Sequence, residues 1–102
     1  MARNVVTYRV YPDDADLKPE ELYERIKKAL EELNAQLKER LGIEEDAIKV
    51  EGMGTEPGPF GVTNLLIRVN MYESEEVASA VEETLENVEG VGGIEATHFM
   101  RL

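Results

Sequence analysis

Cysteine and tryptophan are both absent from this 102-residue chain, and histidine occurs once, as His98. Without cysteine there can be no disulfide, no thiolate metal site and no cysteine nucleophile. A lone histidine needs an orienting partner and a pocket to act as a general base, and the neighbouring sequence supplies no triad. His98 therefore reads as a strand residue. The only serines, Ser74 and Ser79, fall on a helix that they cap or decorate. The glycines form neither a phosphate-binding loop nor a dinucleotide fingerprint, and the acidic pairs Asp13-Asp14, Glu31-Glu32, Glu44-Glu45 and Glu82-Glu83 lack the glycine-bearing spacing of a calcium loop. No cofactor, metal site or enzymatic activity is expected. No run approaches the roughly 20 apolar residues of a membrane span. Met1-Ala2-Arg3-Asn4 leads straight into a strand-like segment without the apolar core of a signal peptide, so a cytoplasmic address is expected. Basic residues are scarce: 11 Lys and Arg against 22 Asp and Glu, a formal charge of −11. Such a surface is a poor match for phosphate backbones, so direct nucleic-acid binding is not expected. It suits solvation or a basic protein partner.

What is present is regular. From Asn4 to Tyr11, Val6, Tyr8 and Val10 alternate with Thr7 and Arg9, the period of a half-buried strand. Pro12-Asp13-Asp14 ends it. A long amphipathic helix follows. Pro19 lies near its start, with Glu20 and Glu21 at the positive end of its dipole. Leu22, Ile26, Ala29, Leu30, Leu33, Leu37 and Leu41 line one face, and Gly42 stops it. Ala47–Met53 reads as a second strand, with Ile48, Val50 and Gly52 facing one way. Gly54-Thr55-Glu56-Pro57-Gly58-Pro59 reads as a shaped, turn-rich loop. Val62–Tyr72 is the third strand, its Leu65, Ile67, Val69 and Met71 opposed to Leu66, Arg68 and Asn70. Ser74 caps a second helix whose inner face is Val77, Ala78, Val81, Leu85 and Val88, closed by Glu89-Gly90. The last strand is Ile94–Leu102, with Ile94, Ala96, His98 and Met100 expected on one face and Glu95, Thr97, Phe99 and Arg101 on the other.

This order predicts a single α+β domain over residues 1–102: a ferredoxin-like βαββαβ sandwich, with a four-stranded antiparallel sheet in the order 4-1-3-2 and both helices on one face. The other sheet face then meets water or a partner. RNA-binding modules of this topology display aromatic and basic residues on their central strands, and few are available here. Two features stand apart from the core. Phe60 sits beside Gly and Pro at the tip of the Glu56–Gly61 loop, where it either tucks under the sheet or projects as an interface anchor. Phe99-Met100-Arg101-Leu102 ends the chain inside a strand pattern, either as a frayed end or as a docking segment.

Val5-Val6-Thr7-Tyr8-Arg9-Val10-Tyr11-Pro12, then Glu56-Pro57, Phe60-Gly61-Val62 and Leu65, then Val88-Glu89-Gly90-Val91, Ile94-Glu95, Thr97 and Arg101-Leu102, occur in an order and spacing that resembles one family. It is the archaeal-type beta, or guanine-nucleotide exchange, subunit of translation elongation factor 1. The sequence departs from that pattern in a longer first helix, in Gly58-Pro59, in Tyr72-Glu73-Ser74-Glu75, and in His98 with Phe99-Met100. The resemblance implies the same fold and a factor that promotes GDP release from the elongation factor 1-alpha GTPase. It implies partner-binding residues Phe60 and Gly61 in the loop, packing into the G domain. It also implies Phe99, Arg101 and Leu102 at the end, with Arg101 reaching toward the magnesium and phosphate region. A ferredoxin-like regulatory module that binds a small ligand as a dimer is the competing expectation. A purely structural or designed domain is a third, but it gives no reason for the Phe60 loop.

Overall fold

The computed structural model describes residues 2–102. Strand β1 (Arg3–Pro12) leads into helix α1 (Pro19–Leu41), followed by β2 (Ile48–Pro57), a single 3-10 turn (Pro59–Gly61), β3 (Thr63–Tyr72), helix α2 (Glu75–Asn87) and β4 (Val91–Arg101). The sheet order is β2-β3-β1-β4, every neighbour antiparallel. It is the expected ferredoxin-like order read from the other edge.

The alternation of β1 and β3 sets the layers. Val6 pairs with Val69, Tyr8 with Ile67 and Val10 with Leu65. Paired residues share a face, so these six form one apolar surface. Onto it pack Leu22, Ile26, Leu30 and Leu37 of α1 and Val77, Val81 and Leu85 of α2, all in one buried cluster. Contacts of α1 with β2 and of α2 with β4 place each helix over its own half of that face. The opposite face carries Thr7, Arg9, Leu66 and Arg68, and no element among the described residues covers it.

Local signals account for the helix limits. Pro19 opens α1, and Gly42 closes it in the left-handed region at φ 66°, donating its N–H toward Glu39 while Ile43 donates to the Lys38 carbonyl. The Ser74 hydroxyl accepts the Val77 N–H to cap α2. Asn34 fixes α1 to the start of β2: its Oδ1 accepts from Ala47 and Ile48, and its amide donates to Asp46.

Several expectations are corrected. A bulge falls between the pairs Thr7–His98 and Tyr8–Ala96, leaving Thr97 as the extra residue. Strict alternation therefore fails in β4. Ile94 and Ala96 face the helices, but beyond the bulge so do Phe99 and Arg101, opposite Val6 and Asn4. His98 and Met100 turn to the open face. A second bulge, between Val50 and Gly52, moves Gly52 away from Ile48 and Val50 to stand opposite Arg68. Strand β2 runs on to Pro57, through residues read as loop. It is an edge strand, so Pro57 interrupts no ladder on its outer side. Strand β4 begins earlier, at Val91. Leu41, read as part of the buried stripe, is exposed, because the last turn of α1 extends past the surface it packs on.

The fold rests on the helix-covered face. Ile26→Ala, at a fully buried site, should lower stability by about 2–5 kcal/mol. Leu41→Ala should stay within about 0.5 kcal/mol. Urea unfolding of both variants measures the contrast.

Candidate functional site

The large apolar side chains left exposed include Phe60 in the β2–β3 hairpin and Phe99, Met100 and Leu102 at the end of β4. Each group follows from its local backbone.

The hairpin tip is held by main-chain bonds across the turn. The Gly58 N–H donates to the Val62 carbonyl at 2.7 Å, and the Val62 N–H returns to the Pro59 carbonyl at 3.2 Å. Pro57 and Pro59 restrict the chain on either side of Gly58. This geometry drives Phe60 to φ 60°, ψ 30°, in the left-handed region, with Gly61 following at φ 77°. A bulky L-residue there is destabilised by roughly 1–2 kcal/mol. Its ring receives nothing in return, since Phe60 is 101% exposed. Packing of the ring therefore does not account for the strain. Phe60 thus projects from the hairpin and does not tuck under the sheet.

Behind the tip, Arg9 on β1 ties three strands on the open face. Its guanidinium binds Glu56 of β2 and, at 2.5 Å, Glu95 of β4. The hydrogen bond from Arg9 holds the Glu56 carboxyl below its ordinary range, aided by the arginine's charge and by Asn64, against a partial loss of solvation. Composition and spacing could not reveal this clasp, because Glu56 and Arg9 are separated by a strand as well as by sequence.

At the other corner the ladder stays intact to Arg101, and the Leu102 N–H donates to the Arg3 carbonyl at 2.9 Å. The strand end is paired, not frayed. Phe99 lies at the rim of a 320 Å³ groove between α2 and β4, with Val6, Tyr8, Met71 and Ala78 among its walls. Asn4 also lines it, and its Oδ1 is the one buried side-chain polar atom among the described residues without a hydrogen-bond partner. Burial, and then the nearby Glu82 carboxylate, raise the pKa of the Tyr8 hydroxyl. Arg101 forms an ion pair with Glu73, at the β3–α2 junction. His98 is exposed on the open face, its Nδ1 3.1 Å from the Thr97 hydroxyl. No group of three or more metal-ligating side chains converges among the described residues.

Phe99, Arg101 and Leu102 thus stand together, and Phe60 and Gly61 stand together, but the two groups do not meet. Arg101 is opposite Asn4, which is opposite Met71, whereas the Phe60 turn precedes Thr63 on the same β3 strand. The run from Met71 to Thr63, at ~3.4 Å per residue, separates the two ends by roughly 27 Å along the strands. They also lie toward opposite edges, since β4 and β2 are the outer strands.

Residues 29–102 match the family described as the EF-1 guanine nucleotide exchange domain. Elongation factor 1-beta of Aeropyrum pernix is 35% identical over 103 residues, spanning 100% of this chain and 99% of that protein. Elongation factor 1-beta of Pyrobaculum arsenaticum is 36% identical over 102 residues, spanning 99% and 96%. Among solved structures, the C-terminal domain of the MgtC protein from Mycobacterium tuberculosis superposes with a TM-score of 0.53 at 12% identity, covering 100% of this chain and 88% of that one. That likeness concerns the fold alone.

Two stability measurements test the hairpin. Phe60→Gly removes the left-handed strain and no packing, so thermal unfolding should show no loss and a gain of up to about 1 kcal/mol. The Glu56 pKa is depressed in the folded state from an ordinary 4.5. The clasp's contribution is therefore fully present above pH 4.5 and is lost as pH falls through the lower folded value. The stability gap between wild type and Glu56→Gln should be open at neutral pH and close on acidification in that window.

Proposed function

Because the chain belongs to the EF-1 guanine nucleotide exchange domain family, and acts as a guanine-nucleotide exchange factor in translation elongation, we propose that it engages the elongation factor 1-alpha GTPase through both ends of its sheet. Phe60 and Gly61 form one contact; Phe99, Arg101 and Leu102 form the other. The observation that carries this reading is Phe60, fully exposed on a strained and clamped turn. An aromatic carried on a backbone held this way loses little main-chain freedom on docking and can seat as an anchor.

The separation of the two contacts has a mechanical meaning. Side chains roughly 27 Å apart cannot enter the same pocket. The four-stranded sheet between them acts as a spacer, so that seating one contact presents the other at high effective concentration. In this scheme the hairpin supplies most of the affinity, and the β4 end adds a weaker contact on docking and acts on the nucleotide region. GDP is held on GTPases by phosphate contacts and the accompanying magnesium ion. A cation and an apolar wedge that favour the opened pocket raise the GDP off-rate. Linkage then requires GDP and the exchange factor to weaken each other's binding by the same factor, and ~3 kcal/mol of coupling is ~150-fold. All chemistry on the nucleotide stays with the partner. The setting is cytoplasmic, where the translation machinery works; no helix among the described residues is long and apolar enough to cross a membrane.

The test is release of a fluorescent GDP analogue from the cognate GTPase subunit. Wild type should accelerate release. Phe60→Ala should raise the half-saturating concentration of the factor by ~30-fold, as for loss of a ~2 kcal/mol anchor, and Arg101→Ala should lower the plateau rate and raise that concentration by a smaller factor. Absence of acceleration by wild type would sink the exchange reading for this partner. Two folded variants that match wild type would remove the site assignment alone.

A further inference from the structure

We propose that Glu73 is a positioning residue that holds Arg101 in reserve. In the free protein its carboxylate stands where an anionic oxygen of the GTPase partner binds on docking. The inference rests on the assignment of Arg101 as a partner-contacting residue.

The ladder shows how far the arginine is turned back. Arg101 is on β4, opposite Asn4 of β1, and Glu73 follows Tyr72 of β3, which pairs with Arg3. β1 lies between the strand that carries Arg101 and the strand that leads to Glu73. To form the observed pair, Arg101 Nη2 reaches across β1, over a gap of about two strand spacings or ~10 Å. Its side chain therefore lies back across the end of the sheet and does not extend beyond it. The main chain that carries the receiving carboxylate is well anchored. The Glu73 N–H donates to the Ala2 carbonyl at 3.0 Å, and the next residue, Ser74, caps α2. A neighbouring acid is already engaged, since Glu76 pairs with Arg40 at 2.9 Å.

The pair is built to be exchanged. The Arg101 side chain is 67% exposed and that of Glu73 32%, so water screens their attraction and the arginine can leave. A guanidinium binds carboxylate and phosphate with the same planar fork, which makes a carboxylate a fair stand-in for a phosphate oxygen. The internal pair also lowers the arginine's attraction for any anion that cannot displace a carboxylate. Glu73 is thus a built-in competitor that acts only through Arg101.

The proposal predicts a split between affinity and rate. In the GDP-release assay, Glu73→Gln should lower the half-saturating concentration of the exchange factor by roughly two- to five-fold, the range of an exposed ion pair, with the plateau rate unchanged. In an Arg101→Ala background the same substitution should do nothing. In the free protein, the Arg101 Nη–H resonances should move and exchange faster with water in Glu73→Gln. If Arg101→Ala impairs exchange but Glu73→Gln leaves the half-saturating concentration unchanged or raises it, the reserve role is overturned and the site assignment stands. An equal gain in the Arg101→Ala background would show that Glu73 acts by its own charge, which also overturns it. If Arg101→Ala behaves as wild type, the site assignment itself fails. Arg101 Nη–H signals indifferent to Glu73→Gln rule out the internal pair directly.

Discussion

The pairing of β1 with β3 governs everything else in this molecule. Val6, Tyr8 and Val10 stand against Val69, Ile67 and Leu65, and the side-chain period of two means that a slip of one residue would expose all six. With that register set, the helices have only one apolar surface to cover. Thr7, Arg9, Leu66 and Arg68 are consigned to the open face. The same register decides that the β2–β3 hairpin emerges at one end of the sheet and that β4 finishes at the other. The distance between the proposed contacts is thus a property of the core.

The two ends display their side chains by different physics. At the hairpin, main-chain bonds across Gly58 and Val62, with two prolines, force Phe60 into a conformation its side chain disfavours. The Arg9 clasp braces β1, β2 and β4 behind it. The strain persists because the surrounding contacts over-determine the turn. At the β4 end there is no such strain. There a bulge at Thr97 adds one residue, so that Phe99 and Arg101 come to the helix side, where Glu73 and the groove beside α2 are within reach.

Charge follows the same division. Helix α2 carries Glu75, Glu76, Glu82, Glu83 and Glu86 with no basic residue, and the chain as a whole carries −11. On such a body the field favours a basic protein surface over a nucleic acid. Arginines are few, and Arg9 and Arg101 are both engaged with carboxylates inside the molecule. Arg9 is tied to two carboxylates and is structural. Arg101 has one carboxylate and wide exposure, which leaves it free to change partners.

Much of this was legible in the sequence. The alternation in β1 and β3, the leucine stripe of α1, the Ser74 cap and the Gly42 stop are local signals, each dictated by a period or a backbone preference within a few residues. They sufficed for the element order and the ferredoxin-like arrangement, whereas the roles expected of Phe60 and Arg101 came from the family resemblance. The bulges at Glu51 and Thr97 were not legible, because an extra residue in a strand is defined by the partner strand and leaves the alternation of its own sequence looking regular. That is why Phe99 and His98 were assigned to each other's faces. The Arg9 clasp, the Glu73–Arg101 pair and the distance between Phe60 and Arg101 likewise exist only once β1 has been inserted between β3 and β4. The sequence by itself determined the element order and the apolar faces of β1, β3, α1 and α2, because those follow from local periods, and it left Phe60 open between core and surface. Only the tertiary structure decided which surface residues share a corner, because contacts across a sheet depend on register as well as strand order, and the register shifted by the two bulges is not encoded in the spacing of neighbours along the chain.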